Sequence, residues 1–555
     1  MPSYNLKSLK LPKLTGNMLS VFANLVETRF GQMLLLNSLL ENGGIPKLRA
    51  LNVDEPPTFY PAVRPASDHP ISVDISEPAP GDWHSPYPSS LDYSLKYQQG
   101  EISPVEIAEQ LLRNIKSSEE GEQPMRIFIA LDRDDLIGQA QKVEERIKTG
   151  KRICPIDGVP VAIKDEIDML PYPTTVGTAF LGKQSANEDS TVVARLRAAG
   201  ALLVGKTNMH EIGIAPNGMN VHHGTVRNPF DLNCDPGGSS SGSAAAVSAG
   251  LVPIALGADG GGSIRIPASL CGVVGLKPTF GRVSEFGAAP LCWSVAHLGP
   301  LTACVYDAAL TYSIIAGPDL KDPNSLIQPP VTLNGWNTPD LEGIRFGVYP
   351  EWNEHADQDV VSVFNDMLNE LIKRGATLSE IEIPELDEIR IAHAVTILSE
   401  MAMCMRVYKS QRKEMAEAVR LSLVLGEVMT SSDYIQAQRY RTRAMAAFDS
   451  VFQEIDVILT PGTAKTAQPF PLADPSAGWS DLSIDTEYMR YVYPGNLTGL
   501  PAISFPAGYD TRGLPVGMQA ISRHWQEHLL FRVAYNAEQL MERRIPTNFY
   551  PSLIL

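Results

Sequence analysis

Between Pro236 and Pro267 the chain reads PGGSSSGSAAAVSAGLVPIALGADGGGSIRIP, where hydroxyl residues flank a block, AAAVSAGLVPIAL, too apolar for a flexible Gly/Ser linker. Serines held by a folded core can carry chemistry, and three patterns nearby point to different kinds. GALLVGKT, residues 200–207, fits the phosphate-binding pattern GxxxxGK[ST] and would make Lys206 a nucleotide ligand. A phosphate loop needs pliant backbone between its glycines, whereas ALLV reads as a strand and Gly200 as the stop of the preceding helix, so Lys206 is assigned a structural place. GSSSG, residues 238–242, fits the GxSxG elbow of serine hydrolases and offers Ser240, with histidines following at 297, 355, 393, 524 and 528. That elbow directly follows a hydrophobic strand, and here VRNPFDLNCDPGG is loop.

The third pattern uses a lysine. VPVAIK places Lys164 at the end of an apolar strand, where desolvation disfavours the cation and can make a base of it. The acids of DEID that follow would, if close, favour the charged form instead, and an ion-pair role stays open. In GADGGGSIR, Gly260, Gly261 and Gly262 leave backbone N–H groups unobstructed beside Ser263, as an oxyanion hole requires; a tight turn with Ser263 capping the next helix uses the same residues.

The elements that must position these residues alternate. STVVARLRAAG reads as a helix with a glycine stop and ALLVGKTN as a strand; IRFGVYP, VSVFNDMLNELIKRGA and TLSEIEIP repeat strand, helix, strand. IDVILTP adds a strand, and AISFPAGYDTRGLPVGMQAIS two more around Asp510-Thr511-Arg512-Gly513. This predicts an α/β sandwich on a mostly parallel or mixed sheet. Residues 17–41 are predicted as one amphipathic helix with a stripe through Met18, Leu19, Phe22, Leu25, Val26, Phe30, Met33, Leu36, Leu39 and Leu40, stopped at Gly43-Gly44. Glu27 and Arg29 deny it the apolar run of a membrane span. Proline-rich residues 52–90 are expected as an extended arm over the domain surface.

With 555 residues, 44% of them hydrophobic and 20% charged, the chain can bury a large core; a net charge of -17 opposes broad nucleic-acid binding and suits neutral or apolar substrates. Six cysteines without CxxC spacing suggest neither zinc nor disulfides. MPSYNLKSLKLPKLTG lacks the apolar core of a signal peptide, so a cytoplasmic or peripherally membrane-associated protein is expected, and Asn496-Leu-Thr is read as a chance sequon.

PGGSSSGSAAAVSAGLVPIALGADGGGSIRIPASLCGVVGLKPTFGRV resembles the signature region of the amidase signature family. VPVAIKD resembles its lysine motif at the family's spacing, and GKTNMHEIG, GPLTACVYDAA and NLTGLPAISFPAGYDTRGLPVGMQAI resemble further blocks, so that the likeness covers roughly residues 95–540. It implies the amidase signature fold, a large mixed twisted sheet between helices, with residues 1–94 as a helical and extended arm, 95–540 as the catalytic domain and 541–555 as a tail. It also implies Ser263 as nucleophile, Ser239 as a bridging serine after a cis peptide bond, Lys164 as base, and Gly260, Gly261, Gly262 and Ser263 as the oxyanion loop. Ser240 and Ser241 are expected to fix the turn through hydroxyl-to-backbone bonds. No metal or cofactor is implied.

Within the family, His210 in TNMHEIG, both catalytic blocks and the N-terminal LPKLTGNML and EPPTFYP are similar to the plant-type fatty acid amide hydrolase branch, while LCWSVAHLGP lacks the SLDQxGP of the transamidosome subunit. The substrates this implies are lipid-like amides such as N-acylethanolamines. Small aryl or alkyl amides, or a glutaminase role inside a tRNA-dependent complex, are the alternatives. Residues 17–41, with Lys7, Lys10 and Lys13 nearby, are expected to serve a homodimer interface, a peripheral membrane contact or both.

Overall fold

A computed structural model describes residues 4–9, 11–64 and 85–554. Eleven strands form one sheet: β1 (Phe128–Leu131), β2 (Pro160–Lys164), β3 (Leu202–Thr207), β4 (Ile254–Ala258), β5 (Val274–Lys277), β6 (Leu298–Thr302), β7 (Arg345–Val348), β8 (Thr377–Glu380), β9 (Val457–Pro461), β10 (Ala502–Tyr509) and β11 (Pro515–Ser522). Their spatial order is β1-β3-β2-β4-β6-β5-β10-β11-β9-β7-β8. β2 runs parallel to β3 and β4, and β7 to β8 and β9, while the remaining pairings are antiparallel. The sheet is therefore mixed. Strands β2, β3, β4 and β6 are buried along their whole length, which is why VPVAIK and ALLVGKTN read as strands without alternation.

Seven of the helices bear on the candidate residues or on the N-terminal segment: α1 (Gly16–Val26), α2 (Arg29–Gly43), α3 (Ser241–Ser248), α4 (Arg265–Cys271), α5 (Leu386–Met405), α6 (Glu417–Val428) and α7 (Ser431–Val451). Every residue of α3, SGSAAAVS, is buried, because it packs against β2, β4 and α4; only small side chains fit such a place. The motif at 200–207 is resolved as expected. Residues Leu202–Thr207 are strand, and Lys206 donates to Ile167 O at 2.7 Å and Thr174 Oγ1 at 3.0 Å, in contact with Asp165 at 3.4 Å.

The single helix expected over 17–41 is two. Glu27 ends α1 with its carboxylate taken by Arg412, Lys413 and Arg420, and the Thr28 hydroxyl then caps α2 by accepting from Gly31 N at 2.9 Å. α2 crosses so close that a Cβ on Gly31 would lie 1.9 Å from Leu25 O. Leu19, Ala23 and Val26 of α1 are buried, with α6 and α2 as its main neighbours, but Met18, Val21, Phe30, Met33 and Leu34 remain exposed.

The extended arm is observed over residues 52–64; its continuation over 65–84 and Lys10 lie outside the described residues. It runs along α7. Arg439 donates to Glu55 O at 2.8 Å and to Val53 O, Arg441 to Phe59 O at 2.6 Å, and Arg443 to Asn52 O at 3.1 Å.

Candidate active site

β2 and β4 are parallel neighbours, so Lys164 and Ala258 finish side by side at the carboxyl end of the sheet, where open α/β sheets commonly expose ligand sites. The Lys164 side chain is fully buried; its Nζ donates to Ser239 Oγ at 2.8 Å and to Ala258 O at 3.3 Å, and it lies 2.8 Å from Glu166 Oε2. Ser239 enters α3 through a cis peptide bond from Gly238. Gly238 has to be glycine, since a Cβ there would stand 2.2 Å from Asn217 O.

Ser263 lies in the loop that joins β4 to α4, and its carbonyl accepts from Ser240 N at 3.1 Å. The structure thus brings Lys164, Ser239 and Ser263 to one place, with Lys164 and Ser239 in direct contact. The Ser240 hydroxyl donates to Ala258 O at 3.2 Å and accepts from Ala258 N at 3.3 Å, which locks the turn onto β4. Ser241 departs from expectation: as the first residue of α3 it holds a buried hydroxyl without a hydrogen-bond partner among the described residues, and Ser243, bonded to Leu256 O at 2.9 Å, makes the second anchor. None of the histidines downstream of Ser240 bonds to it, so the GxSxG reading has no base.

Asp259 organises the glycine loop. Its Oδ1 accepts from Gly262 N at 2.7 Å, its Oδ2 from Ile264 N at 3.1 Å, and Arg265 grips both oxygens at 3.0 Å. Burial pushes the Asp259 carboxyl up, but Arg265 and the Asn496 amide hold it well below the usual carboxylate range. Gly262, at φ +103, faces its N–H toward Asp259, whereas the N–H groups of Gly260, Gly261 and Ser263 carry no hydrogen bond among the described residues. Those three are the donors available to an oxyanion. The loop is braced from α5 by His393, whose Nε2 donates to Gly260 O at 2.8 Å; burial lowers this imidazole to about 4, so it is neutral. Asn496 is buried with its amide on Asp259, which excludes it as a glycan acceptor.

A cavity lies beside this loop and shares the loop's neighbours His393 and Met489. Ile397, Leu398, Met401 and Met489 are among its apolar walls, and His210 and His393 among its polar ones. A methyl group on Gly261 would lie 3.1 Å from both His393 Cε1 and Met489 Cε, so two of the cavity's lining side chains stand directly against the loop. Burial lowers His210 to about 4 as well. Among the described residues no cluster of histidine, cysteine or carboxylate side chains could hold a metal ion.

Sequence reasoning gave no site role to Asp259, Arg265 or Asn496, offered His393 only as a base for Ser240, and reached Glu166 only as one of the acids of DEID. Asp259 and Arg265 flank the GGGS motif and were within reach of it; Asn496 and His393 come from helices far along the chain, and no local pattern marks them.

Solved structures share this architecture. The peptide amidase of Stenotrophomonas maltophilia superposes with a TM-score of 0.70 at 26% identity over 82% of this chain and 98% of its own, and a bacterial aryl acylamidase of the amidase signature family with 0.72 at 26% over 82% and 96%. Fold and site together define an amidase. The Amidase family profile matches residues 106–531, and the chain belongs to the amidase signature family. Fatty acid amide hydrolases of Oryza sativa subsp. japonica and Arabidopsis thaliana are 37% and 35% identical to it, each over 99% of this chain and 96% of theirs. A glutamyl-tRNA(Gln) amidotransferase subunit of Cyanothece is 36% identical over 79% of this chain and 95% of its own.

Proposed function

We propose that this amidase hydrolyses fatty acid amides, N-acylethanolamines among them, to a free fatty acid and an amine. Neutral Lys164 takes a proton from Ser239 as Ser239 takes one from Ser263, and Ser263 Oγ attacks the amide carbonyl carbon. The N–H groups of Gly260, Gly261 and Ser263 stabilise the oxyanion. Ser239 then returns a proton to the nitrogen, because an amide nitrogen leaves only as an amine, and water releases the acid from Ser263.

The observation that carries the substrate class is the largely apolar cavity whose lining residues His393 and Met489 stand against Gly261, which suits an alkyl chain whose carbonyl meets the loop. Full-length similarity to fatty acid amide hydrolases supports it, whereas the amidotransferase subunit leaves a fifth of this chain unmatched. The test compares a long-chain acylethanolamide, a short aliphatic amide, an aryl amide and glutamine on the purified chain and on Ser263→Ala. Long-chain turnover that disappears in Ser263→Ala is expected; preference for glutamine or the short amide refutes the substrate, and full activity of Ser263→Ala refutes the nucleophile.

Met18 and Val21 of α1 and Phe30, Met33 and Leu34 of α2 give this pair of helices an exposed apolar surface, and α1 packs on α6, whose Leu425 lines the cavity. We assign this surface to a lipid interface, a second copy of the chain, or both. Among the described residues no helix is long and apolar enough to cross a membrane. Phe30→Glu with Met33→Glu is expected to reduce liposome flotation or shift the sedimentation coefficient to that of a monomer. If both readouts match wild type, the surface has neither role.

A further inference from the structure

Lys164 has a polar neighbour that the relay does not use. Its Nζ is as near to Glu166 Oε2, at 2.8 Å, as to Ser239 Oγ, at 2.8 Å, with Ala258 O at 3.3 Å. Three acceptors match the three hydrogens of an ammonium, and while all three stay on Nζ it has no lone pair for the Ser239 proton. One must leave first. Glu166 is the only carboxylate paired with Nζ among the described residues.

The other acids of the KDEID motif are committed elsewhere. Asp165 accepts from Thr175 N at 3.2 Å and Gly177 N at 3.1 Å beside Lys206, and Asp168 from Thr174 Oγ1 at 2.6 Å. The Glu166 backbone is pinned by Ala289 N, which donates to its carbonyl at 2.9 Å. Gly213 leaves the pair its room: a Cβ there would stand 3.3 Å from Ser239 Oγ and 3.7 Å from Glu166 Oε2.

The remaining titratable groups around the pair bring little charge to it. Burial lowers His210 to about 4 and keeps the Glu285 carboxyl and the Cys292 thiol well above their usual ranges. Lys206 is paired with Asp165, and burial raises Glu400 on α5, which is bonded to Ser294 and Tyr434. On its other side Glu166 borders a second cavity, shared with Glu285, Trp293, Asp322 and Lys321, and the Lys321 side chain is 50% exposed, so the cavity reaches the surface.

We propose that Glu166 is a positioning residue that sets the charge of Lys164, holding Nζ as an ammonium at rest and accepting one of its protons when acylation begins. An N–H bond of Lys164 breaks, an O–H bond forms on Glu166 Oε2, and an ion pair becomes an amine beside a carboxylic acid. The net charge of the buried pair is unchanged, so no unpaired ion is left in the interior. Lys164 then accepts the Ser239 proton, and Glu166 exchanges its own with water through the second cavity.

This inference rests on the reading of Lys164, Ser239 and Ser263 as base, relay and nucleophile. The experiment follows covalent labelling of Ser263 by a fluorophosphonate against pH, read by mass spectrometry, which does not depend on the substrate. The wild-type rate should rise with pH as water takes the proton that Glu166 accepts, leaving Nζ its lone pair. In Glu166→Gln the rise should move to lower pH by about 1–3 units, the effect of removing an adjacent opposite charge. Glu166→Ala should move it likewise, and added formate, filling the vacated space, should return it toward wild type. Melting curves establish that each variant is folded, and should Glu166→Gln unfold, the alanine variant with and without formate decides. A rise unmoved in the folded variants overturns the proposal and leaves Glu166 a packing residue. Wild-type labelling at Ser240, or at neither serine, overturns the reading of the nucleophile itself.

Discussion

Asp235 sits just before the turn that carries Ser239, buried, with its Oδ1 accepting from Gly218 N and Gly237 N, both at 2.9 Å. Burial pushes its carboxyl from 3.8 to about 7, so the folded chain keeps a proton that the unfolded chain loses as pH rises through about 4. Because the folded value is the higher one, stability is unaffected below about pH 4, falls between about 4 and 7, and stays lowered above. At about 1.4 kcal/mol per pH unit, the loss is at most about 4 kcal/mol. Asp235→Asn retains an Oδ1 acceptor for both glycine N–H groups and cannot ionise. Its advantage over wild type should therefore widen by at most about 3 kcal/mol between pH 5 and pH 8. Asp485, raised to about 7 by burial and in part by Asp235, is coupled to it, so the double Asp→Asn variant should gain less than the sum of the singles. Denaturant midpoints across that range are the assay. An advantage of the same size at pH 5 and pH 8 refutes the reasoning.

Ser239→Ala should lower kcat/KM by about 10²- to 10⁴-fold, while Ser240→Ala, which breaks only bonds to Ala258, should cost about 1 kcal/mol of stability and little rate; the reverse order of rates would contradict the relay. Arg265→Met leaves Asp259 buried without its cation and should destabilise the fold by about 3–5 kcal/mol, read as a lowered melting temperature; an unchanged melt would show that Asn496 suffices. His393→Ala removes the donor to Gly260 O and should lower kcat about 3- to 10-fold with KM little changed, and a pure KM effect would place His393 in substrate binding instead.

β2 and β3 were legible because each is short, apolar and bounded by glycine or by a helix stop, as VPVAIK and ALLVGKTN show, whereas β4, which leads into the glycine loop, was read only as part of an apolar block. Lys164 was legible as a strand end, and Ser239 and Ser263 became so through the resemblance, since hydroxyls alone did not separate Ser239 from Ser240. The break at Glu27 was not. Periodicity over 17–41 is continuous, and what holds the carboxylate at the break is a set of arginines and a lysine more than 380 residues away in sequence. The contact of Lys164 with Glu166 was foreseen only conditionally, because a sequence states that acids follow the lysine but not which of them turns back. Asp165 and Glu166 are adjacent and face opposite duties, a division made by the loop at Thr175–Gly177.

The way α7 holds the arm has a consequence for how the two segments can change over evolutionary time. Arg439, Arg441 and Arg443 reach main-chain oxygens of Asn52, Val53, Glu55 and Phe59, and every residue type supplies such an oxygen. Apart from Val53, which is buried, and Glu55 and Thr58, whose side chains bond to Arg443 and Thr442, the arm can therefore accumulate substitutions and keep its seat, provided its backbone stays extended, whereas the burden of constancy falls on the arginines. Arg441 carries a further share, because its other nitrogen donates to Ser294 Oγ at 3.0 Å and Ser294 is bonded to Glu400. Loss of that one guanidinium would unfasten a strap on the surface and loosen α5, the helix that braces the glycine loop, in the same step.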